Sequence, residues 1–240
     1  MLDGYSPVLF AMAIIFLGSF VQTAIGFGLA ILAAPLLMLL SNDYVPVPIV
    51  VTALFITSLS TLKNRSNIEI GELKSAIIGR LPGSVVGGVL LTYVSAQALS
   101  LWLGIIVLIS LVISLLPFRI EPTKNKMAIA GFLSGFMGTS SGIGGPPMAI
   151  LLQHQEANKF RSNLSAFFLF SSIMSLVVQW SVGYLKLEHI YMSLPLLPAA
   201  WLGYKVATLV AHRLSKQWIR WSALSLCLIS GVGAIVKSIS

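Results

Sequence analysis

Charge is what this sequence has least of. Asp, Glu, Lys and Arg together make up 9% of its 240 residues, where an ordinary soluble domain carries about 25%. A chain with so few ionic groups cannot coat itself for water, which excludes a conventional soluble globule. Cysteine is nearly absent: Cys227, alone in an apolar run, excludes an intrachain disulfide. The three histidines, His154, His189 and His212, fall in or beside loops and share no metal-ligand spacing. Each reads as an interfacial polar residue, and neither a metal nor another cofactor is expected. Acid is scarce and peripheral: Asp3, Asp43, Glu69, Glu72, Glu121, Glu156 and Glu188 all lie outside the deep parts of the apolar runs. That excludes a proton relay of buried carboxylates, so any coupling falls to ions held on backbone oxygens or to protonation of the solute itself. Glu72 and Glu188 read as helix caps, where the dipole favours a negative charge.

Base exceeds acid, 15 residues to 7, for a formal charge of +8. The basic residues gather between apolar runs without interleaved aromatics. They read as topology-setting loop charge, and nucleic acid is not an expected partner. The start, Met1-Leu2-Asp3-Gly4, lacks a basic segment, so the first apolar run is expected to belong to the mature fold.

What the chain has in abundance is apolar length. Hydrophobic residues make up 57% and the mean hydropathy is +0.94. The apolar runs are roughly 8–41, 46–62, 74–93, 98–117, 127–152, 164–183, 190–211 and 217–236. Most can supply the ~20 helical residues that cross a ~30 Å hydrocarbon core. None alternates like a strand, and a helix satisfies its own backbone in lipid. The fold class expected is an all-α polytopic membrane protein, one transmembrane domain over 1–240. Pro46 and Pro48 open the second run. Pro117 and Pro122 punctuate the polar stretch that divides a first repeat, about 8–117, from a second, about 127–237, with a linker of about 118–126.

Two runs look broken in the middle. As one helix, 8–41 would measure ~50 Å at ~1.5 Å per residue. Its centre holds Gly26-Phe27-Gly28, and the fifth run carries Gly142-Ile143-Gly144-Gly145-Pro146-Pro147 at the same place. Glycine weakens a helix and the proline pair removes two amide donors. The two halves align without a gap at an offset of 116 residues, with matches that include Phe16/Phe132, Thr23/Thr139, Gly26/Gly142, Gly28/Gly144, Asn42/Asn158, Glu72/Glu188, Pro82/Pro198, Gly87/Gly203 and Trp102/Trp218. Leucine matches come cheaply in such a sequence; matched Gly, Pro, Trp and Glu at one constant offset point to duplication.

Loop charge orients the halves. If each broken run is a re-entrant hairpin, each half adds three full crossings, an odd number, and the repeats are inverted. Eleven loop Lys and Arg residues, at 63–74, 119–126, 159–161 and 213–220, then share one face and only Lys186 and Lys237 the other. If each broken run crosses once, the same residues split eight to five. The positive-inside rule favours the lopsided count, with basic loops cytoplasmic and both termini periplasmic in a bacterial inner membrane. Broken runs that cross twice give the same inversion.

Inverted repeats with interrupted helices are a transporter layout in which solute binds near the midplane at the breaks. A half-helix that starts inside the membrane aims unpaired N–H groups and a positive dipole end at the cavity, which suits an anion. The candidate binding residues are Thr23, Gly26, Phe27 and Gly28 at the first break, and Thr139, Ser140, Ser141, Gly142, Gly144, Gly145 and Pro146 at the second. The second break is expected to be richer in donors because of its three hydroxyls. Pro146 or Pro147 suits the first turn of a new half-helix. Close helix packing is the competing use for these glycines. Arg80 and Lys205, the ionisable residues well inside runs, can each serve an anion or snorkel to the cytoplasmic interface. Gly138-Thr139-Ser140-Ser141-Gly142 matches G-x-S-x-G, but no strand precedes it and no histidine shares a core segment, so a Ser140 hydrolase is the lesser alternative. A passive anion channel of the same architecture is another.

Two Gly-rich breaks, each followed by a short helix, in a duplicated chain of this size resemble the TauE/SafE sulfite exporter family over residues 8–237. The segment 142–147, with Arg161 just after the next loop, carries the strongest match. Gly26-Phe27-Gly28 followed by Pro35 departs from the family's usual triple glycine, with Phe27 where a smaller residue is common. The resemblance implies a secondary transporter, not an enzyme, for sulfite, thiosulfate or a small organosulfonate; the residues alone point only to an anion. The partners expected are that small anionic substrate, membrane lipid and, as one option, a second copy of the chain in a homodimer.

Overall fold

The computed structural model describes residues 6–115, 120–153 and 155–210, together with Ser225, Leu228 and Ile229. Most of the eighth apolar run, with Cys227, His154 and His212, lies outside the described residues. The regular elements are helices: α1 (Ser6–Ile25), α2 (Leu29–Leu40), α3 (Val47–Lys63), α4 (Ile70–Tyr93), α5 (Ala96–Leu115), α6 (Lys124–Ser141), α7 (Gly145–Leu152), α8 (Ala157–Ser181), α9 (Leu187–Ser193) and α10 (Leu196–Val210). Four segments are long and apolar enough to cross a membrane: Pro7–Ile25, Asn42–Lys63, Leu73–Tyr93 and Ala157–Ser181. The pair Leu187–Ser193 and Leu196–Val210, bent by 41°, adds a fifth if it acts as one span. Leu9, Phe10, Ile78, Val85, Ile129 and Trp180 turn outward. Apolar residues on the outside as well as the inside are what lipid as solvent demands. The chain is an all-α, multi-pass membrane protein.

Both long runs are interrupted. α1 stops at Ile25 and α2 starts at Leu29; α6 stops at Ser141 and α7 starts at Gly145. Each pair of boundaries is separated by the repeat offset, since 25 + 116 = 141 and 29 + 116 = 145. The breaks use glycine where φ is positive: +105° at Gly26, +119° at Gly28 and +81° at Gly142, a region that costs any side chain with a Cβ. The chain then doubles back. Gly18 sits against the backbone of Leu29, and Gly144 against the carbonyl of Ser134, which occupies Gly18's place in the second half. At ~1.5 Å per residue, the 12 residues of α2 and the 8 of α7 measure ~18 and ~12 Å, so neither crosses the core alone.

The direction of the helices follows from contacts at several levels. Glu69 at the head of α4 meets Lys159 and Asn163 near the head of α8; Arg80 meets Ser171 and Ser175; a Cβ at Gly88 would meet Val178 and Val182. α4 and α8 therefore run the same way. α4 and α6 do too, because Gly79, Gly83 and Gly87 lie on the backbone of Ala128, Phe132 and Phe136. Gly131 and Gly135 answer against Ala76 and Arg80. Glycine every fourth residue lets two helix backbones touch, the contact that holds helices together where lipid removes the hydrophobic drive. Since α6 and α8 begin at the same end, the α6–α7 segment returns to the end it left.

The packing is reciprocal between halves. α4 of the first half lies on α6 of the second, and α10 of the second lies on α1 of the first, where Gly203 meets the Phe16 carbonyl. α3 and α8 pack across the centre.

The expected caps need correction. Glu69, not Glu72, is the residue before α4, and Lys186, not Glu188, precedes α9; Glu72 and Glu188 fall inside the first turns. The helices start earlier because the entry amides find other partners. Glu69 N–H donates to Asn163 Oδ1 at 2.8 Å, and Lys186 N–H to His189 Nδ1 at 3.2 Å.

Candidate anion site

The two breaks meet at one cavity. Phe27, Gly28, Ala30 and Ile31 line it from the first, and Gly142, Ile143, Gly144 and Gly145 from the second. Phe27 and Gly145 face one another across it, close enough that a Cβ on Gly145 would lie 3.6 Å from that of Phe27. Its volume is about 50 Å³, room for about three to five water-sized groups at the ~10–15 Å³ each requires. That suits a small oxyanion.

Arg80 of α4 supplies the charge. It is 2% exposed, so it does not snorkel; its head lies inside, against the cavity. Nη1 donates to Ser134 Oγ at 2.9 Å, and Nη2 to Ser175 Oγ at 3.0 Å and to the Ser171 carbonyl at 3.1 Å. The guanidinium also lies over the Phe167 ring, 5.7 Å from its centroid. These partners are neutral, three bonds serve a group with five N–H donors, and Nε has no protein partner. Among the described residues no carboxylate pairs with it. A buried cation without a counter-ion is costly, and an anion in the adjoining cavity would relieve that cost.

The other intramembrane cation goes elsewhere. Lys205 is exposed on the outer face of α10, its ammonium 5.5 Å from the Trp201 ring centroid. It does not line the cavity.

The hydroxyls expected at the second break also turn away. Ser140 Oγ donates to the Phe136 carbonyl at 2.7 Å and accepts from Trp102 Nε1 at 3.1 Å. Ser141 Oγ donates to the Met137 carbonyl, and Thr139 Oγ1 pairs with Ser175 Oγ at 2.9 Å. Thr23 Oγ1 likewise bonds the Ser19 carbonyl at 2.7 Å. A helical Ser or Thr reaches its own i−4 carbonyl more easily than a ligand. Pro146 does sit in the first turn of α7, buried, but with Pro147 it removes two of the N–H groups a helix start would offer. So the second break is not the richer in donors. The start of α2 keeps the amides of Gly28, Leu29, Ala30 and Ile31, and Gly28, Ala30 and Ile31 line the cavity. Ser140 faces an indole rather than a base, which leaves the G-x-S-x-G match without catalytic geometry.

What the sequence reading missed is the polar lining: Gln22 of α1 and Ser171, Ser172 and Ser175 of α8, with Ser134 of α6 beneath Arg80. The signal was present. Ser171, Ser172 and Ser175 share one face of α8 within the otherwise apolar stretch 166–178, and polar side chains in a spanning helix face the interior.

Comparison with known proteins places this architecture. A model of the sulfite exporter TauE/SafE family matches residues 11–234. A protein of Cupriavidus necator, the probable sulfite/organosulfonate exporter TauE, is 27% identical over 191 residues, which cover 72% of this chain and 73% of that protein. The probable membrane transporter protein YunE of Bacillus subtilis is 25% identical over 240 residues, covering 83% of this chain and 86% of its own length. No solved structure matches the chain.

Proposed function

The chain belongs to the sulfite exporter TauE/SafE family, and from that membership we propose that it is a secondary transporter moving a small sulfur-containing oxyanion (sulfite, thiosulfate or a small organosulfonate) across the bacterial inner membrane. The observation that carries this is Arg80: a buried guanidinium, unpaired with any described carboxylate, on the wall of a small cavity where two broken helices meet. The anion takes the guanidinium's unused donors and the free amides at the start of α2. Gln22 and Ser172, polar side chains on the cavity wall, complete its shell. The two halves act as inverted repeats about this site, a reading supported by their matched breaks and reciprocal helix packing. The basic loops lie in the cytoplasm.

Purified protein in proteoliposomes tests the proposal. Saturable sulfite flux, competed by thiosulfate and weakened by Arg80→Gln, is expected. Flux that never saturates would favour a passive channel, and no flux of any of the three solutes would overturn the reading.

A further inference from the structure

The polar strip that begins at the cavity continues past it. Ser171, Ser175 and Gln179 recur every fourth residue on α8, so they share one face, and they are 4%, 1% and 0% exposed. Arg80 Nη2 donates to Ser175 Oγ at 3.0 Å, Ser175 Oγ and Thr139 Oγ1 pair at 2.9 Å, and Gln179 Nε2 donates to the Thr139 carbonyl at 2.8 Å. The main-chain carbonyl of Gln179 accepts from Tyr184 N and Leu185 N, both at 2.9 Å, which sets Gln179 beside the turn where Ser181 and Gly183 are exposed. Ser84 lies one turn beyond Arg80 on α4. The parallel register of α4 on α8 sets it at the level of Ser175 and Gln179.

Four buried polar atoms of this strip have no protein partner: Arg80 Nε, Ser171 Oγ, Ser84 Oγ and Gln179 Oε1. An orphaned hydroxyl or amide is costly in a protein interior and more so within lipid. Bound water is the ordinary remedy where several such groups lie together.

We propose that this hydrated strip is a proton path joining the anion site to the face at residues 181–184, and that the bound oxyanion itself takes up the proton. The inference rests on the anion-site reading. Hydroxyls and waters pass protons by exchanging donor and acceptor roles. At the site, a hydronium gives its proton to a lone pair on an oxyanion oxygen, leaving water and an oxyanion one charge less negative, with no change of oxidation state. The guanidinium then faces half the counter-charge of a dianion, and its hold weakens. No carboxylate is needed, in keeping with the peripheral placing of all seven acids. Arg80 is the titratable group of the strip itself. At its outer end stand Tyr184, Lys186, Glu188 and His189, with Asp43 from the segment before α3. Burial, and secondly Asp43, push the Tyr184 phenol up, so it stays neutral there.

The test uses full-length protein in proteoliposomes with an entrapped pH dye, sulfite as solute, and two variants, Gln179→Met and Ser84→Ala, the second too small a change to threaten folding. Sulfite–sulfite exchange and sulfite-induced thermal stabilisation report the anion site without net proton movement. Both variants should match the wild type in these within about twofold, while pH-driven sulfite accumulation and the dye signal fall by about tenfold or more. Normal wild-type exchange, with net sulfite uptake that gives no dye signal and no response to a pH gradient, would overturn the coupling but leave the anion site standing. Unchanged proton signals in both variants would overturn the path. Absence of exchange in the wild type would instead sink the anion-site reading beneath it.

Discussion

Arg161 of α8 donates from Nη2 to the main-chain carbonyl of Ala24, 2.9 Å away, so the second half of the chain closes the broken end of the first half's leading helix. The last carbonyls of α1 have no partner within the helix, and a cation there also meets the negative end of its dipole. Phe160 and Leu164 pack around Gly26 beside it, while at the other break Ile49 and the Pro46 carbonyl pack around Gly142. Each break is thus wedged by the start of the other half's next helix. Arg161→Gln should lower the apo protein's stability by about 1.5–3 kcal/mol, the range for a hydrogen bond to a charged group. A thermal unfolding scan in detergent checks this, and an unchanged midpoint would show that the contact carries no load.

The α4–α6 seam makes a sharper prediction. A Cβ on Gly79, Gly83 or Gly131 would overlap the opposing backbone carbonyl, far inside van der Waals contact. Alanine there must push two helices apart, so Gly83→Ala should abolish the monodisperse peak in size-exclusion chromatography. Gly71, at the start of α4, has nothing within 4 Å of its would-be Cβ. Gly71→Ala should leave the peak intact and raise stability by up to about 1 kcal/mol, the helix-propensity difference.

Glycines at the breaks behave differently, because their constraint is conformation as much as space. Gly28 combines φ +119° with Val21 at 3.1 Å, and it lines the cavity. Gly28→Ala should cost about 1–3 kcal/mol of backbone strain and remove sulfite transport. Gly144→Ala should do so by another route, since its Cβ would press on Ser134, whose hydroxyl holds Arg80 and bonds the Gly144 carbonyl. Flux normalised to folded, inserted protein separates these losses from simple misfolding.

How much of this was legible in the sequence depends on what each residue had to compete with. The breaks were, because Gly and Pro act locally: nothing at a distance lets Gly142-Ile143-Gly144-Gly145-Pro146-Pro147 continue a helix. The engagement of the Thr139, Ser140 and Ser141 hydroxyls was not legible, because composition counts donors and does not show that Ser140 and Ser141 bond carbonyls of their own helix and Thr139 bonds Ser175. Arg80 and Lys205 looked alike, as both sit two turns inside a run. What separates them is helix face. Arg80 adjoins the Gly79–Gly83–Gly87 seam, which points inward onto α6, while Lys205 projects outward beside Trp201. The glycine spacing was readable in advance; its partner helix was not, because that depends on how the two halves interlock.

Replacing Lys205 should therefore do little. A cation over an exposed indole contributes about 0.5–1 kcal/mol, and the side chain is not part of the cavity lining. Lys205→Gln should leave the half-saturating sulfite concentration within about twofold of wild type. A rise comparable to that of an Arg80 variant would mean that the outer face of α10 takes part in the solute's path.

Arg80 itself should show two opposite effects at once. With no described carboxylate beside it and Nε unpartnered, the guanidinium is a burden on the empty protein, and removing an uncompensated buried charge is often neutral or stabilising. Arg80→Gln keeps a hydrogen-bonding head for Ser134 and Ser175 but no charge. Its unliganded melting temperature should equal or exceed that of wild type. The charge-assisted bonds to the anion disappear, at about 1.5–3 kcal/mol each, so affinity should fall by about tenfold or more, and sulfite should no longer raise the melting temperature. Arg80→Lys, which retains charge without the planar fork, should fall between the two. A purely structural arginine would give the reverse: a destabilised apo protein whose surviving folded fraction binds sulfite as wild type does.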